Sequence, residues 1–252
     1  MAKVGARLLG VTFDADGYRP GGKSSPAKTT EVLASIIWDK DARIHAQKLF
    51  ALTALGDLKG PEVTDGLLKV LVDEKTSSEV YAKAADVLMA RKDPDGLPLL
   101  VKALDPHVDY IAGTTPRGVD AIARAIGAIG KPEGAQALLA HLEDPATSIA
   151  TAQVIIEALA ECQNPRVLAA LRTYLLLYRV DPAFKGEPAV LNATIDALLR
   201  LGGSKEREVI AYVAQEPRTH ESVAAYAKRA LAQDQAESQK KAKSRGGPPE
   251  PR

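Results

Sequence analysis

The 252-residue sequence predicts an all-α fold, an α-solenoid of about five to six stacked helical hairpins. Three observations carry that prediction. Alanine is about one residue in six, whereas seven Tyr, three Phe and one Trp are the only aromatics. Such a composition suits closely packed helices better than sheets, which favour β-branched and aromatic residues. Prolines recur at a regular interval: Pro26, Pro61, Pro94, Pro132 and Pro165 stand 35, 33, 38 and 33 residues apart. Finally, apolar residues around each proline keep a helical spacing, and nowhere between Pro26 and Gln233 does a two-residue alternation replace it.

The repeated phrase fixes the elements one by one. Ala54-Leu55-Gly56-Asp57-Leu58-Lys59-Gly60-Pro61-Glu62 recurs as Leu88-Met89-Ala90-Arg91-Lys92-Asp93-Pro94-Asp95. It returns as Ala128-Ile129-Gly130-Lys131-Pro132-Glu133 and as Leu159-Ala160-Glu161-Cys162-Gln163-Asn164-Pro165-Arg166. Each copy reads as the end of one helix, a polar break, and a proline opening the next helix, where its missing N–H has no partner to lose. Six residues after each proline lie Val32, Leu67, Leu100, Leu138 and Leu171; ten residues after lie Ile36, Leu71, Leu104, Leu142 and Leu175. These offsets share one helix face and predict a buried stripe. Leu55, Leu88, Ile126 and Leu159, six residues before the proline, form the facing stripe on the first helices. Periods of this size mark helical repeats whose hairpins bury their cores only by stacking.

Gly203-Ser204 takes the proline slot once more, and the last hairpin spans Glu206–Ala214 and Ser222–Gln233, with Pro217 at its turn. Two insertions rich in Pro and Gly, Pro106 to Gly118 and Val180 to Pro188, are expected as surface loops. Residues 1–25 are expected to be an irregular arm, 26–235 the solenoid, and 236–252 a disordered tail. The tail holds five basic and two acidic residues, and the whole chain has a formal net charge of only +1.

The apolar–Ala-Leu-Gly–polar–Pro-Glu pattern, followed by Leu-Leu at helical spacing and a closing Asp, resembles the HEAT repeats of the armadillo-like α-solenoids. Asp39-Lys40-Asp41-Ala42-Arg43 is similar to that family's Asp…Val-Arg opening of a first helix, and later repeats lack the Arg. The resemblance covers about residues 26–233. It implies a rigid scaffold whose second helices line a concave groove. The family includes scaffolds, chaperone-like lyases, nucleic-acid binders and a few enzymes, so fold alone does not set the task.

Motifs with chemical content each have a plainer reading. Gly17-Tyr18-Arg19-Pro20-Gly21-Gly22-Lys23-Ser24 matches the phosphate-loop pattern, yet Pro26 starts its helix too late and no parallel strands follow. Asp14-Ala15-Asp16-Gly17 reads as a turn, because Thr12 and Lys23 fall where a calcium loop needs carboxylates. His45, His107, His141 and His220 lack the paired spacing of a zinc site and read as solvated surface residues. His220-Glu221 is a single His-Glu pair, where the HEAT-like di-iron hydroxylases need several. Cys162 reads as a small buried hydrophobe. Lys69 and Lys102 give way to Ala140 and Thr173 in the same slot, too short a basic track for nucleic acid. No cofactor or metal is therefore expected. The first residues lack a secretory h-region, so a cytoplasmic location is expected.

The expected function is a non-catalytic platform for a protein or peptide partner. A nucleic-acid-binding HEAT-like protein, or a HEAT-like enzyme or lyase/chaperone-type protein, is the alternative. Partner contacts are assigned to Lys69, Lys102, His141, Arg172 and Tyr174 on the second helices, with Arg172 and Tyr174 ranked first because Arg and Tyr are favoured interface anchors. The insertions around Thr114 and Phe184 rank second, with Phe184 either an exposed anchor or a plug over the stack.

Overall fold

The computed structural model describes residues 12–14, 17–19, 26–39, 41–104 and 117–245. Its fold class is the all-α helical-repeat solenoid. Twelve α-helices are present among the described residues: α1 (Pro26–Trp38), α2 (His45–Gly56), α3 (Pro61–Val72), α4 (Ser78–Arg91), α5 (Leu97–Ala103), α6 (Val119–Ile129), α7 (Ala135–Glu143), α8 (Ile149–Glu161), α9 (Leu168–Tyr178), α10 (Ala189–Leu201), α11 (Ser204–Gln215) and α12 (Glu221–Arg245). The chain divides into two units, residues 1–129 and 130–252.

In the first unit, first helices α2, α4 and α6 pack in succession, as do second helices α1, α3 and α5. In the second unit, α8, α10 and α12 form one such row, and α9 packs on α11. The stripe is found where the proline register puts it in four repeats: Leu67 and Leu71, Leu100 and Leu104, Leu138 and Leu142, Leu171 and Leu175 are all buried. Leu55, Leu88, Ile126 and Leu159 are buried as well. The first repeat corrects the expectation. Val32 is 42% exposed, and Leu33 and Ile37 are buried instead. Leu33 lies 34 residues before Leu67, whereas Pro26 lies 35 before Pro61. One residue is about 100° of helix rotation, enough to turn Val32 off the core.

Pro26 and Pro61 open their helices directly, whereas Pro94, Pro132 and Pro165 each open a three-residue 3₁₀ turn that leads into one. Three proline-opened turns are capped by the side chain just before the proline. Asp93, Asn164 and Asp181 side chains accept the backbone N–H two residues on, at 3.1, 3.0 and 2.9 Å, just ahead of the turns opened by Pro94, Pro165 and Pro182. Two residues before Pro94, Pro132 and Pro165, Lys92, Gly130 and Gln163 hold φ of 47°, 71° and 52°. Only the glycine is at ease in that left-handed conformation. A second recurring turn, invisible in the proline spacing, joins each of three second helices to the next first helix. The N–H groups of Thr76, Thr147 and Thr219 reach the carbonyls of Asp73, Asp144 and Glu216 at 3.1, 3.0 and 3.0 Å.

The two ends also differ from expectation. The arm contains an antiparallel hairpin, β1 (Thr12–Asp14) with β2 (Gly17–Arg19), in which Asp14 pairs with Gly17. The phosphate-loop match therefore begins on an antiparallel strand, and its residues 20–24 lie outside the described residues. The tail is not irregular from residue 236, because α12 continues to Arg245. Ala, Glu, Gln, Lys and Arg are strong helix formers, and Glu237 stands three and four residues before Lys240 and Lys241. The first insertion, with His107 and Thr114, lies outside the described residues. The second is no simple loop: Pro182–Phe184 forms a 3₁₀ turn, and Phe184 is buried.

Candidate partner-binding surface

Helix α9 carries more apolar residues than one face can bury. Leu171 and Leu175 point into the core, which leaves Leu177 on the outside at 60% exposure. Tyr174 and Tyr178, one turn apart, meet edge to face with centroids 4.6 Å apart, and Tyr178 stacks on Phe184 at 4.5 Å. Phe184 also meets Tyr174 edge-on at 6.1 Å. Phe184 is thus the plug and not the exposed anchor: its ring completes an aromatic cluster whose burial keeps it from solvent. Burial, and then the neighbouring Tyr178, push the Tyr174 hydroxyl above the usual phenol range.

Beyond this cluster lies the surface itself. Arg179 holds the Leu176 carbonyl and donates to the Tyr212 hydroxyl at 3.3 Å, with its guanidinium 5.3 Å from the Tyr212 ring centroid. Tyr212 is 45% exposed, and Val180 is exposed as well. The candidate surface therefore comprises the Arg179–Tyr212 pair, with Leu177 and Val180 separately exposed at the end of α9. Sequence reasoning missed it because Tyr212 is remote in sequence and only the α9–α11 packing brings it near Arg179. The one local signal was the Leu175-Leu176-Leu177 run, too long for a single stripe.

Among the residues predicted from sequence, Arg172 is drawn inward. It forms an ion pair with Glu206, whose other carboxylate oxygen accepts the Gly203 N–H at 2.8 Å at the start of α11. The Gly203 N–H, followed by the Arg172 guanidinium, holds the Glu206 carboxyl below its ordinary range. His141 is buried on α7, contrary to a solvated surface histidine, and its carbonyl accepts the Thr147 hydroxyl at 2.6 Å. Its position follows from the stripe, since it precedes Leu142 on the inward side. His45 and His220 are tied as well, to Glu79 Oε2 at 2.6 Å and to the Asp181 carbonyl at 2.7 Å.

In the first unit Lys69 and Lys102 are exposed on α3 and α5. Lys69 pairs with Asp65 at 2.7 Å and stands 5.7 Å from the centroid of Trp38. Cys162 is fully buried, and burial with the Glu161 charge pushes its thiol up to about 11. Among the described residues, no group of three or more His, Cys, Asp or Glu could hold a metal ion. No described helix is long and apolar enough to cross a membrane.

The family model described as PBS lyase HEAT-like repeat matches residues 120–144. That stretch runs along α6, through the Pro132–Gly134 turn, and along α7. Residues 120–144 thus carry a HEAT-like repeat. The match falls on one of the four phrase copies that carried the resemblance, Ala128-Ile129-Gly130-Lys131-Pro132-Glu133. No curated protein matches the chain. The HEAT-like repeat pattern accounts for the paired helices and the polar breaks.

Proposed function

We propose that this protein is a non-catalytic platform that holds a protein or peptide partner on the second-helix face of its second unit. The observation that supports this most is the exposed Tyr212 ring packed against the Arg179 guanidinium, with Leu177 and Val180 also exposed at the end of α9. Tyr and Arg side chains on a rigid support are the composition of interface hot spots. Rigidity has a visible source: Tyr212 is held from one side by Arg179, and Arg179 is held by the end of α9. The partner-facing residues are then Leu177 and Tyr212, with Arg172 and Tyr174 acting beneath them as supports.

Affinity capture from the native cell, read by quantitative mass spectrometry, tests this. Leu177→Asp and Tyr212→Ala, at half-exposed positions, leave the helical circular dichroism unchanged and each lower the yield of the same partner at least about tenfold, as loss of a hot spot does. Equal yields from both variants refute the placement. A thermal melt with Mg-ATP, Fe²⁺ or Zn²⁺ tests the enzyme alternative, because a bound ligand at 100 times its Kd adds about 2.7 kcal/mol. A shift with any of them overturns the non-catalytic reading.

A further inference from the structure

The first unit contains a cleft of about 520 Å³ where the end of α1 and the start of α2 meet the turn between α3 and α4. Its size is in the range of small-molecule sites. Trp38, the only tryptophan in the chain, forms part of its wall and is 48% exposed. Lys69 stands over the Trp38 ring at 5.7 Å from its centroid, and the part of the indole left in water beside the cleft offers a platform for a flat ring.

The polar groups of the cleft divide into those already engaged and those not. Asp39 Oδ1 accepts the Asp41 N–H at 2.8 Å, and Asp73 Oδ1 accepts the Lys75 N–H at 3.0 Å, so both carboxylates serve their own turns. His45 is bonded to Glu79, and the Lys48 ammonium to the Asp39 carbonyl. The Lys75 ammonium and the Ser77 hydroxyl are the exceptions. Neither makes a side-chain hydrogen bond or ion pair among the described residues, and Ser77 does not cap α4 with its side chain. A donor cation and a donor hydroxyl in one cleft complement an acid group.

We propose that this cleft binds a small aromatic anion, an aryl carboxylate, sulfate or phosphate, with its ring on Trp38 and its acid group on Lys75 and Ser77. The ring and the charge are recognised by separate groups, so each alone is a poor ligand. No bond changes are involved. The site lies in the first unit and is independent of the face proposed above.

The single tryptophan makes the test direct, because the indole N–H of Trp38 gives one resonance in a ¹⁵N–¹H spectrum of the full chain. Phenyl phosphate is the probe, with inorganic phosphate as charge without ring and benzyl alcohol as ring without charge. Phenyl phosphate is expected to shift the Trp38 indole saturably, and both controls to bind at least about tenfold more weakly. Lys75→Glu is expected to weaken phenyl phosphate by about tenfold or more, the scale of one charge-assisted hydrogen bond, while Lys102→Glu leaves it unchanged. Both lysines are exposed, so neither change threatens folding. Any one of four results overturns the proposal: no saturable shift, inorganic phosphate binding as well as phenyl phosphate, Lys75→Glu binding as wild type, or Lys102→Glu weakening binding equally.

Discussion

Replacing Arg172 by Ala separates a recognition residue from a structural one. The Arg172 side chain is 20% exposed and its partner Glu206 only 6%. Removing one member of a fully buried ion pair costs about 3–5 kcal/mol, and a single hydrogen bond to a charged group is worth about 1.5–3 kcal/mol. Arg172 retains some water and Glu206 keeps the Gly203 N–H, so the lower part of that range applies, about 2 kcal/mol. Glu206→Gln keeps an oxygen for Gly203 but loses the charge. In that background Arg172→Ala is expected to cost only about 0.5 kcal/mol, a coupling of about 1.5 kcal/mol. Urea unfolding followed by circular dichroism at pH 7 measures all four corners of the cycle. The same pair predicts an acid dependence. The folded-state pKa of Glu206 is depressed, so its contribution is complete above the unfolded carboxylate value of about 4.3 and is lost as pH falls through the folded value. Glu206→Gln should flatten that loss. A cost under about 0.5 kcal/mol in both backgrounds would refute the reasoning and return Arg172 to the partner surface.

Three further outcomes are expected. Gln163→Gly and Lys92→Gly should each stabilise the protein by about 0.5–1 kcal/mol in urea unfolding, because both side chains occupy left-handed positions where Gly130 serves the next repeat. Phe184→Ala should cost about 3–4 kcal/mol and reduce the near-ultraviolet signal of the tyrosines, since the ring is buried against Tyr178; a change under about 1 kcal/mol would mean that it is exposed after all. Cys162, with its thiol near 11, is about one part in a thousand thiolate at pH 8, against about a quarter for a free cysteine. Labelling by an aromatic disulfide reagent at pH 8 should therefore run at least about two hundredfold slower than for free cysteine, until urea unfolds the chain.

The candidate surface was legible only in part. Arg172 and Tyr174 lie on the helix that carries the proposed surface, and Phe184 packs against it; scarce aromatics gathered beside a Leu run are visible in a linear reading. Their roles were not legible. Whether Arg172 meets solvent depends on Glu206, 34 residues away and on another helix. The same holds for His141, whose burial is decided by the facing helix, and for Trp38, whose cleft exists only because two turns come together.

The linear chain by itself determined the repeat. Prolines at 33 to 38 residues, and Leu stripes at offsets set by the helical turn, are local quantities that backbone geometry enforces wherever the chain goes. Tertiary structure decided the rest: the one-residue register of the first repeat, and the choice of Leu177 and Tyr212 for the outside. Those outcomes depend on which side chains meet across helices. Distances in space, unlike periods in sequence, are fixed only once every neighbouring helix has taken its place.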